Sequence, residues 1–133
     1  MENAPVNETS ILVVDDEPVV RALLRAALEP TGSRLVEASD GCEAIEVAWR
    51  EQPDLVLLDV GLPKLSGLDV CRALKTNPSA PRVLLITGDS GAEGIEDCGA
   101  DGVVAKPFAP GALVEQVERA LNAESAAGAC SAA

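Results

Sequence analysis

The sequence predicts an α/β protein, a flavodoxin-like doubly wound sheet of five parallel strands with five helices, the fourth helix being short. Short runs of consecutive apolar residues recur along the chain, as expected for strands that are buried on both faces. Segments with helical spacing of apolar residues alternate with these runs, which is typical of a parallel sheet. Because crossovers are right-handed, few topologies remain, and we expect the strand order 2-1-3-4-5.

The clearest predicted strand is the third, in which four apolar residues stand between Pro53 and the carboxylate of Asp59. Gly61 and Pro63 follow as turn signals. Four similar runs occur before and after it. The five predicted strands are residues 11–14, 35–38, 55–58, 83–86 and 102–105.

The predicted helices begin with Pro18 in the first turn, at Gly41, at Gly67, near Gly88 and at Pro110. The fourth, over residues 88–99, contains two interior glycines, each costing about 1 kcal/mol relative to alanine. Apolar spacing predicts which residues of the first two helices point inward. They are Val19, Val20, Leu23, Leu24, Ala27 and Leu28 in the first, and Ala44, Ile45, Ala48 and Trp49 in the second.

Length and charge limit the class of protein. The 133 residues suffice for one domain, which we place at residues 11–122, between a flexible lead (1–10) and a low-complexity tail (123–133). The net charge of −12 argues against nucleic-acid binding and favours cations or basic partner surfaces. No apolar run approaches the ~18 residues of a membrane span. With no secretory signal visible, we expect a cytoplasmic protein that contacts no membrane and no nucleic acid.

The cysteine and histidine content limits the kinds of catalytic and redox chemistry that the chain can perform. The four cysteines are widely spaced without a CxxC motif, as in proteins of a reducing compartment. The sequence contains no histidine, which excludes a Ser-His or Cys-His nucleophilic pair within it.

Polar residues end four of the five predicted strands. Asp15 and Asp16 follow the first strand, Asp59 ends the third, Thr87 ends the fourth and Lys106 follows the fifth. In the order 2-1-3-4-5 these four strands are neighbours, and their carboxyl ends form the edge where such sheets bind ligands. Turn and cap roles explain each residue singly. The pattern as a whole favours a site.

Three clustered carboxylates repel one another, and a hard cation such as Mg²⁺ would offset that repulsion. A bound cation attracts a phosphoryl group, whose oxygens the Lys106 ammonium and the Thr87 hydroxyl can also bind. Asp59, central among these groups, is then a candidate carboxylate nucleophile that forms an aspartyl phosphate.

Several segments around these residues resemble the receiver domain of two-component response regulators, and the resemblance covers residues 11–122. They are residues 13–18, 38–41, 53–59, 62–63 with Gly67, 86–88, 99–101 and 106–108. The resemblance implies that Asp59 is the phosphoacceptor, and that the phosphoryl donor is a histidine kinase or histidine phosphotransfer protein. It implies a domain that catalyses only its own phosphorylation and dephosphorylation and that switches a protein–protein interaction.

The resemblance also implies a role for each remaining site residue. Mg²⁺ would be bound directly by Asp16, Asp59 and the backbone carbonyl of Gly61, and largely through water by Asp15. Thr87 would be the switch hydroxyl and Lys106 the lysine that contacts the phosphoryl group, with a cis peptide bond between Lys106 and Pro107.

Two features depart from the family pattern. The family usually has Tyr or Phe two or three residues before the lysine, where this chain has Val103, and its segment over 88–99 is shorter. One alternative is therefore an interaction module with the receiver fold that acts without phosphorylation. A Mg²⁺-dependent phosphatase is a weaker alternative, because such enzymes carry a second Asp where this chain has Gly61. A stand-alone receiver and one excised from a longer protein both stay open.

Overall fold

The computed structural model of the protein describes residues 9–88, 94–95 and 97–132, and beyond residue 122 it describes only the backbone. Strands and helices alternate through most of this part. The strands are β1 (Ser10–Val14), β2 (Arg34–Ala38), β3 (Leu55–Asp59), β4 (Arg82–Thr87) and β5 (Gly102–Ala105). The helices are α1 (Pro18–Leu28), α2 (Gly41–Glu51), α3 (Gly67–Leu74) and α4 (Pro110–Ala132).

All five strands are parallel and their order is β2-β1-β3-β4-β5, so the predicted fold and strand order are confirmed. In the register of the sheet, Val14 lies opposite Leu58, and Asp59 lies opposite Ile86. The ends of β1, β3 and β4 are therefore level at the carboxyl edge of the sheet.

The sheet separates two apolar cores, because alternate residues of each strand point to opposite faces. One core lies under α2 and α3 and includes Leu12, Val56 and Leu85. The other lies under α1 and α4 and includes Val13 and Leu57. Every residue of β3 is buried, which explains why this strand is a continuous apolar run.

The prediction of five α-helices is not confirmed, since the described residues contain four α-helices and one short 3-10 helix at Glu29–Thr31, directly after α1. Half of the predicted fourth helix, residues 89–93 and 96, lies outside the described part. Residues 94–95 and 97–99 form turns, with positive φ angles of 92° at Gly94 and 91° at Gly99. Left-handed backbone at a glycine ends a helix rather than continuing it. At the other end of the chain, α4 continues to Ala132, into the segment predicted as a tail.

The prediction of which helix residues point inward is partly wrong. Val19 and Leu23 of α1 are 71% and 57% exposed, and Trp49 of α2 is also exposed. Each of these residues precedes or follows a buried or half-buried neighbour by one position. One position is a rotation of about 100° around a helix, which carries a side chain off the narrow stripe that contacts the sheet. Val47, which was not predicted to point inward, is buried.

No helix within the described residues combines the length and apolar character needed to cross a membrane. Of the cysteines whose side chains are described, Cys71 and Cys98 are buried and Cys42 is exposed, and all three are free thiols.

Val103, which stands where the family usually has an aromatic residue, is half-buried and packs against the core under α2 and α3.

Asp101 fixes the start of β5 against its neighbours. Its carboxylate accepts a hydrogen bond from the Val83 N–H at 2.8 Å and pairs with Lys75 at 2.8 Å and Arg82 at 3.2 Å. Burial raises the pKa of Asp101, but the hydrogen bonds from Lys75 and Val83 and the charges of Lys75 and Arg82 outweigh it, so the pKa is lowered. The ionised carboxylate thus ties β5 to α3 and β4.

We expect Asp101→Asn to destabilise the domain by roughly 1–3 kcal/mol at pH 7, because charged hydrogen-bond partners are lost. A lowered carboxyl pKa contributes stability above the unfolded-state value near 4, and that stability is lost as the pH falls through the folded-state value. Urea unfolding at several pH values should therefore show the difference from wild type shrinking below about pH 4. A difference that is the same at pH 7 and pH 3 would contradict this interpretation of Asp101.

Candidate functional site

The predicted site residues meet at the carboxyl edge of the sheet, and backbone hydrogen bonds past the strand ends hold them there. The Asp15 N–H donates to the Ala38 carbonyl at 3.2 Å, so Asp15 extends the pairing of β1 with β2. The Lys106 N–H donates to the Thr87 carbonyl at 2.8 Å, so Lys106 extends the pairing of β5 with β4. Asp59 is the last residue of β3 itself.

Asp15, Asp16 and Asp59 form an acidic cluster in which one carboxylate oxygen of each lies within 4.8 Å of the others. Their environments differ. Asp15 and Asp59 are only 1% and 7% exposed, whereas Asp16 is exposed. The cluster thus combines two buried carboxylates with one that is exposed to solvent.

Lys106 supplies positive charge to this cluster. Its Nζ lies 3.3 Å from Asp59 Oδ1 and 3.8 Å from Asp15 Oδ2. The peptide bond between Lys106 and Pro107 is cis, as predicted. One lysine cannot balance three carboxylates, so the site keeps a net negative charge that suits a cation.

Asp15 shows how well the site suits a metal ion. Its Oδ1 accepts a hydrogen bond from the Glu17 N–H at 2.9 Å, but its buried Oδ2 has no hydrogen-bond partner among the described residues. Burial raises the pKa of Asp15, and the neighbouring charges of Asp59 and Asp16 add to the rise, although Glu17 and Lys106 oppose it. An unsatisfied, buried carboxylate oxygen among other carboxylates fits Mg²⁺, which prefers oxygen ligands.

An open cleft of about 580 Å³ lies over these groups. Asp16, Glu17, Asp59, Val60, Gly61, Thr87, Gly88 and Lys106 line it. The cleft brings together all the predicted site residues except Asp15, which is buried and is not among the lining residues. The Gly61 N–H donates to Asp59 Oδ1 at 3.4 Å, a weak contact that places the backbone of Gly61 beside the central carboxylate.

Gly67 is a site residue whose role sequence reasoning did not explain. Its N–H donates to the Val60 carbonyl at 2.9 Å, which brings the start of α3 against the end of β3. A Cβ at this position would overlap the Asp59 carbonyl oxygen and would lie 2.7 Å from the Val60 Cα. Glycine is therefore required here by close approach of the two backbones.

Arg21 was also missed, although it contacts the site. Its Nη1 donates to the Asp15 carbonyl at 2.6 Å. The sequence offered only a weak signal, a positive residue one turn into the helix that follows the two aspartates. Whether its side chain reaches Asp15 depends on how α1 is rotated on the sheet, which apolar spacing did not resolve.

The family model described as the response regulator receiver domain matches residues 11–118. This match covers most of the chain, and the protein belongs to that family. It is thus a phosphoacceptor domain of two-component signalling, as the family resemblance implied. The comparisons lend no support to the alternative of a module that acts without phosphorylation.

Relatives and solved structures agree with this assignment. The response regulator MprA of Mycobacterium leprae strain TN is 41% identical over 115 residues, 84% of this chain and 50% of MprA. The transcriptional regulatory protein ResD of Bacillus subtilis strain 168 is 37% identical over 121 residues, 90% of this chain and 50% of ResD. The chain thus spans about half the length of these relatives.

Among solved structures, the receiver domain of the sensor histidine kinase PA1611 of Pseudomonas aeruginosa PAO1 is 28% identical with a TM-score of 0.79, over 86% of this chain and 98% of that one. That structure has a magnesium ion coordinated in its active site cleft. A two-component response regulator of the LuxR family from Aurantimonas sp. SI85-9A1 is 33% identical with a TM-score of 0.80, over 88% and 87% of the two chains.

The comparisons do not support one expectation drawn from charge. ResD is named a transcriptional regulatory protein, so the prediction that nucleic acid is not a partner has no support from the relatives. Net charge describes the surface of this chain, whereas relatives of twice its length have further residues that the charge of this chain does not describe.

We expect Gly67→Ala to destabilise the domain by roughly 1–3 kcal/mol, because the added methyl group forces the start of α3 away from β3. Gly111→Ala is the matched control, since a Cβ at Gly111 meets no atom within 4 Å and α4 should gain helix propensity. Chemical denaturation of both variants measures the effect. Equal stability of the two variants would show that the approach of α3 to Asp59 is not tight.

In metal-free buffer we expect Asp15→Asn to melt at a higher temperature than wild type. The buried carboxylate has a raised pKa, so the folded state loses stability as the pH rises past the ordinary value of 3.8, and an amide removes that loss. Asp16→Ala should give a smaller gain because Asp16 is exposed. Saturating Mg²⁺ should reverse the order of wild type and Asp15→Asn. Calorimetric melting temperatures that change neither with the substitution nor with Mg²⁺ would contradict a site that its own uncompensated negative charge destabilises.

Proposed function

We propose that Asp59 is the residue that receives the phosphoryl group in this receiver domain. The observation that supports it best is the ion pair of 3.3 Å between Asp59 Oδ1 and Lys106 Nζ in an open cleft. Asp15 is buried and is not among the lining residues, Asp16 is exposed, and Asp59 is the lining carboxylate that pairs with Lys106.

The contacts of Asp59 support separate roles for its two oxygens. Oδ1 accepts from Lys106 and, weakly, from the Gly61 N–H. Oδ2 is then the nucleophile. It forms a bond to phosphorus as the bond from phosphorus to the imidazole nitrogen of a phosphohistidine breaks, and the leaving imidazole takes up a proton. Such a transfer depends on position and charge compensation more than on acid–base groups.

Lys106 and Thr87 would bind the transferred group. The Lys106 ammonium neutralises a phosphoryl oxygen, and the Thr87 hydroxyl, at the end of β4, donates to another. Asp15, Asp16, Asp59 and the Gly61 carbonyl would hold Mg²⁺, with Asp15 acting largely through water. When bound, the ion supplies further charge compensation for the phosphoryl oxygens.

The donor lies outside this sequence, which contains no histidine. We therefore propose a histidine kinase or histidine phosphotransfer protein as the partner. The domain catalyses its own phosphorylation and dephosphorylation and no reaction of a separate substrate. Transcriptional control of the kind named for ResD would be exerted through a protein contact of this acidic domain.

Incubation with acetyl phosphate and Mg²⁺ should add one phosphate to wild type, and none to Asp59→Asn, because the amide is not a nucleophile. Intact-mass spectrometry measures the addition. Asp69→Asn is the control, since Asp69 is a carboxylate of α3 outside the cleft, and it should be labelled like wild type. Labelling of Asp59→Asn to the wild-type level would overturn the assignment.

A further inference from the structure

We propose that Arg21 is a positioning residue for the metal-binding carboxylates, an inference that rests on the proposed Mg²⁺ site. Arg21 is in α1 and is not among the residues that line the cleft, although its backbone N–H donates to the carbonyl of Glu17, a lining residue, at 3.0 Å. Its guanidinium donates from Nη1 to the Asp15 carbonyl at 2.6 Å and from Nε to Glu37 Oε1 at 2.9 Å. It therefore links the turn after β1 to the neighbouring strand β2.

Glu37 holds the guanidinium in this position. Its second oxygen, Oε2, pairs with Arg25 Nη1 at 3.1 Å, so both carboxylate oxygens are occupied by arginines one helical turn apart. Arg21 Nε is then directed to Glu37 and Nη1 to Asp15. A planar guanidinium can serve two acceptors at fixed angles, which a lysine ammonium on a flexible stem does less well.

The contact with Arg21 completes the fixation of Asp15. The Asp15 N–H donates to Ala38, its Oδ1 accepts from Glu17, and its carbonyl accepts from Arg21. Three of its four polar atoms are thus held by the protein, and the fourth is the buried Oδ2, which has no hydrogen-bond partner in the part of the chain that the structure describes. The same contact sets the direction in which the chain leaves β1, and so where Asp16 stands.

The direction in which Mg²⁺ affinity changes when Arg21 is removed distinguishes a positioning role from a purely electrostatic one. Arg21 is a cation close to an acidic cluster, so its charge alone opposes the binding of Mg²⁺, and its removal would tighten binding. A positioning role predicts the opposite result, because the carboxylates lose their orientation. Outer residues that orient metal ligands typically change affinity about 10- to 100-fold when substituted.

Titration calorimetry with Mg²⁺ on the full chain tests this. Arg21→Gln should weaken Mg²⁺ binding by about tenfold, and Arg21→Lys by less, since lysine reaches only one of the two acceptors. Arg25→Gln is the matched control, because Arg25 contacts Glu37 but not Asp15, and it should bind Mg²⁺ within about twofold of wild type. Thermal melts in metal-free buffer report whether each variant is folded.

Unchanged or tighter binding by Arg21→Gln would overturn the inference, as would equal weakening by Arg25→Gln. If Arg21→Gln does not fold, Arg21→Lys decides, because wild-type affinity in that variant would show that the two-acceptor contact is dispensable. Wild type that does not bind Mg²⁺ would instead overturn the proposed metal site. Labelling of Asp59 in wild type is measured separately, so the two failures are distinguishable.

Discussion

A carboxylate that ends a strand buried on both faces is the constraint on which the site depends. β3 has no exposed residue, and Asp59 therefore stands where the apolar core meets the cleft. Charge at such a boundary is poorly solvated, and uncompensated charge is costly. Lys106 compensates Asp59 directly, but Asp15 lies beside it and is buried more deeply. The excess negative charge makes the site receptive to a divalent cation and to the phosphoryl oxygens that a cation attracts.

Charged contacts outside the cleft hold two of the site residues in place. Asp101 ties the first residues of β5 to α3 and β4, and four residues of strand later the chain reaches Lys106. Near β2, at the other edge of the sheet, Arg21 holds Asp15 in place, because Glu37 of β2 directs its guanidinium to the Asp15 carbonyl. The lysine and the buried aspartate are thus placed by charged contacts that lie outside the cleft itself.

Much of the fold and most of the site could be predicted because short stretches of sequence indicate both. A doubly buried strand is a run of apolar residues, and a site at a sheet edge is a set of polar residues at the ends of those runs. The rotation of a helix about its own axis, which decides which of its residues contact the sheet, depends on packing against the rest of the domain and not on the helix sequence alone. Six apolar residues of α1 fit a stripe, yet Val19 and Leu23 are exposed, and the same rotation decides that Arg21 reaches Asp15. The role of Gly67 depends on the approach of two backbones, which spacing alone does not show.

The exposed position of Trp49 has a practical consequence for spectroscopy. It is the single tryptophan of the chain, and it lines a small pocket with Pro53, Asp54 and Pro81, which precede β3 and β4. The acidic cleft lies at the opposite ends of those strands. Intrinsic fluorescence of this protein should therefore follow the unfolding of α2 from the sheet while remaining insensitive to occupancy of the cleft. Emission from Trp49 can thus serve as a measure of folding that is independent of metal and phosphoryl binding.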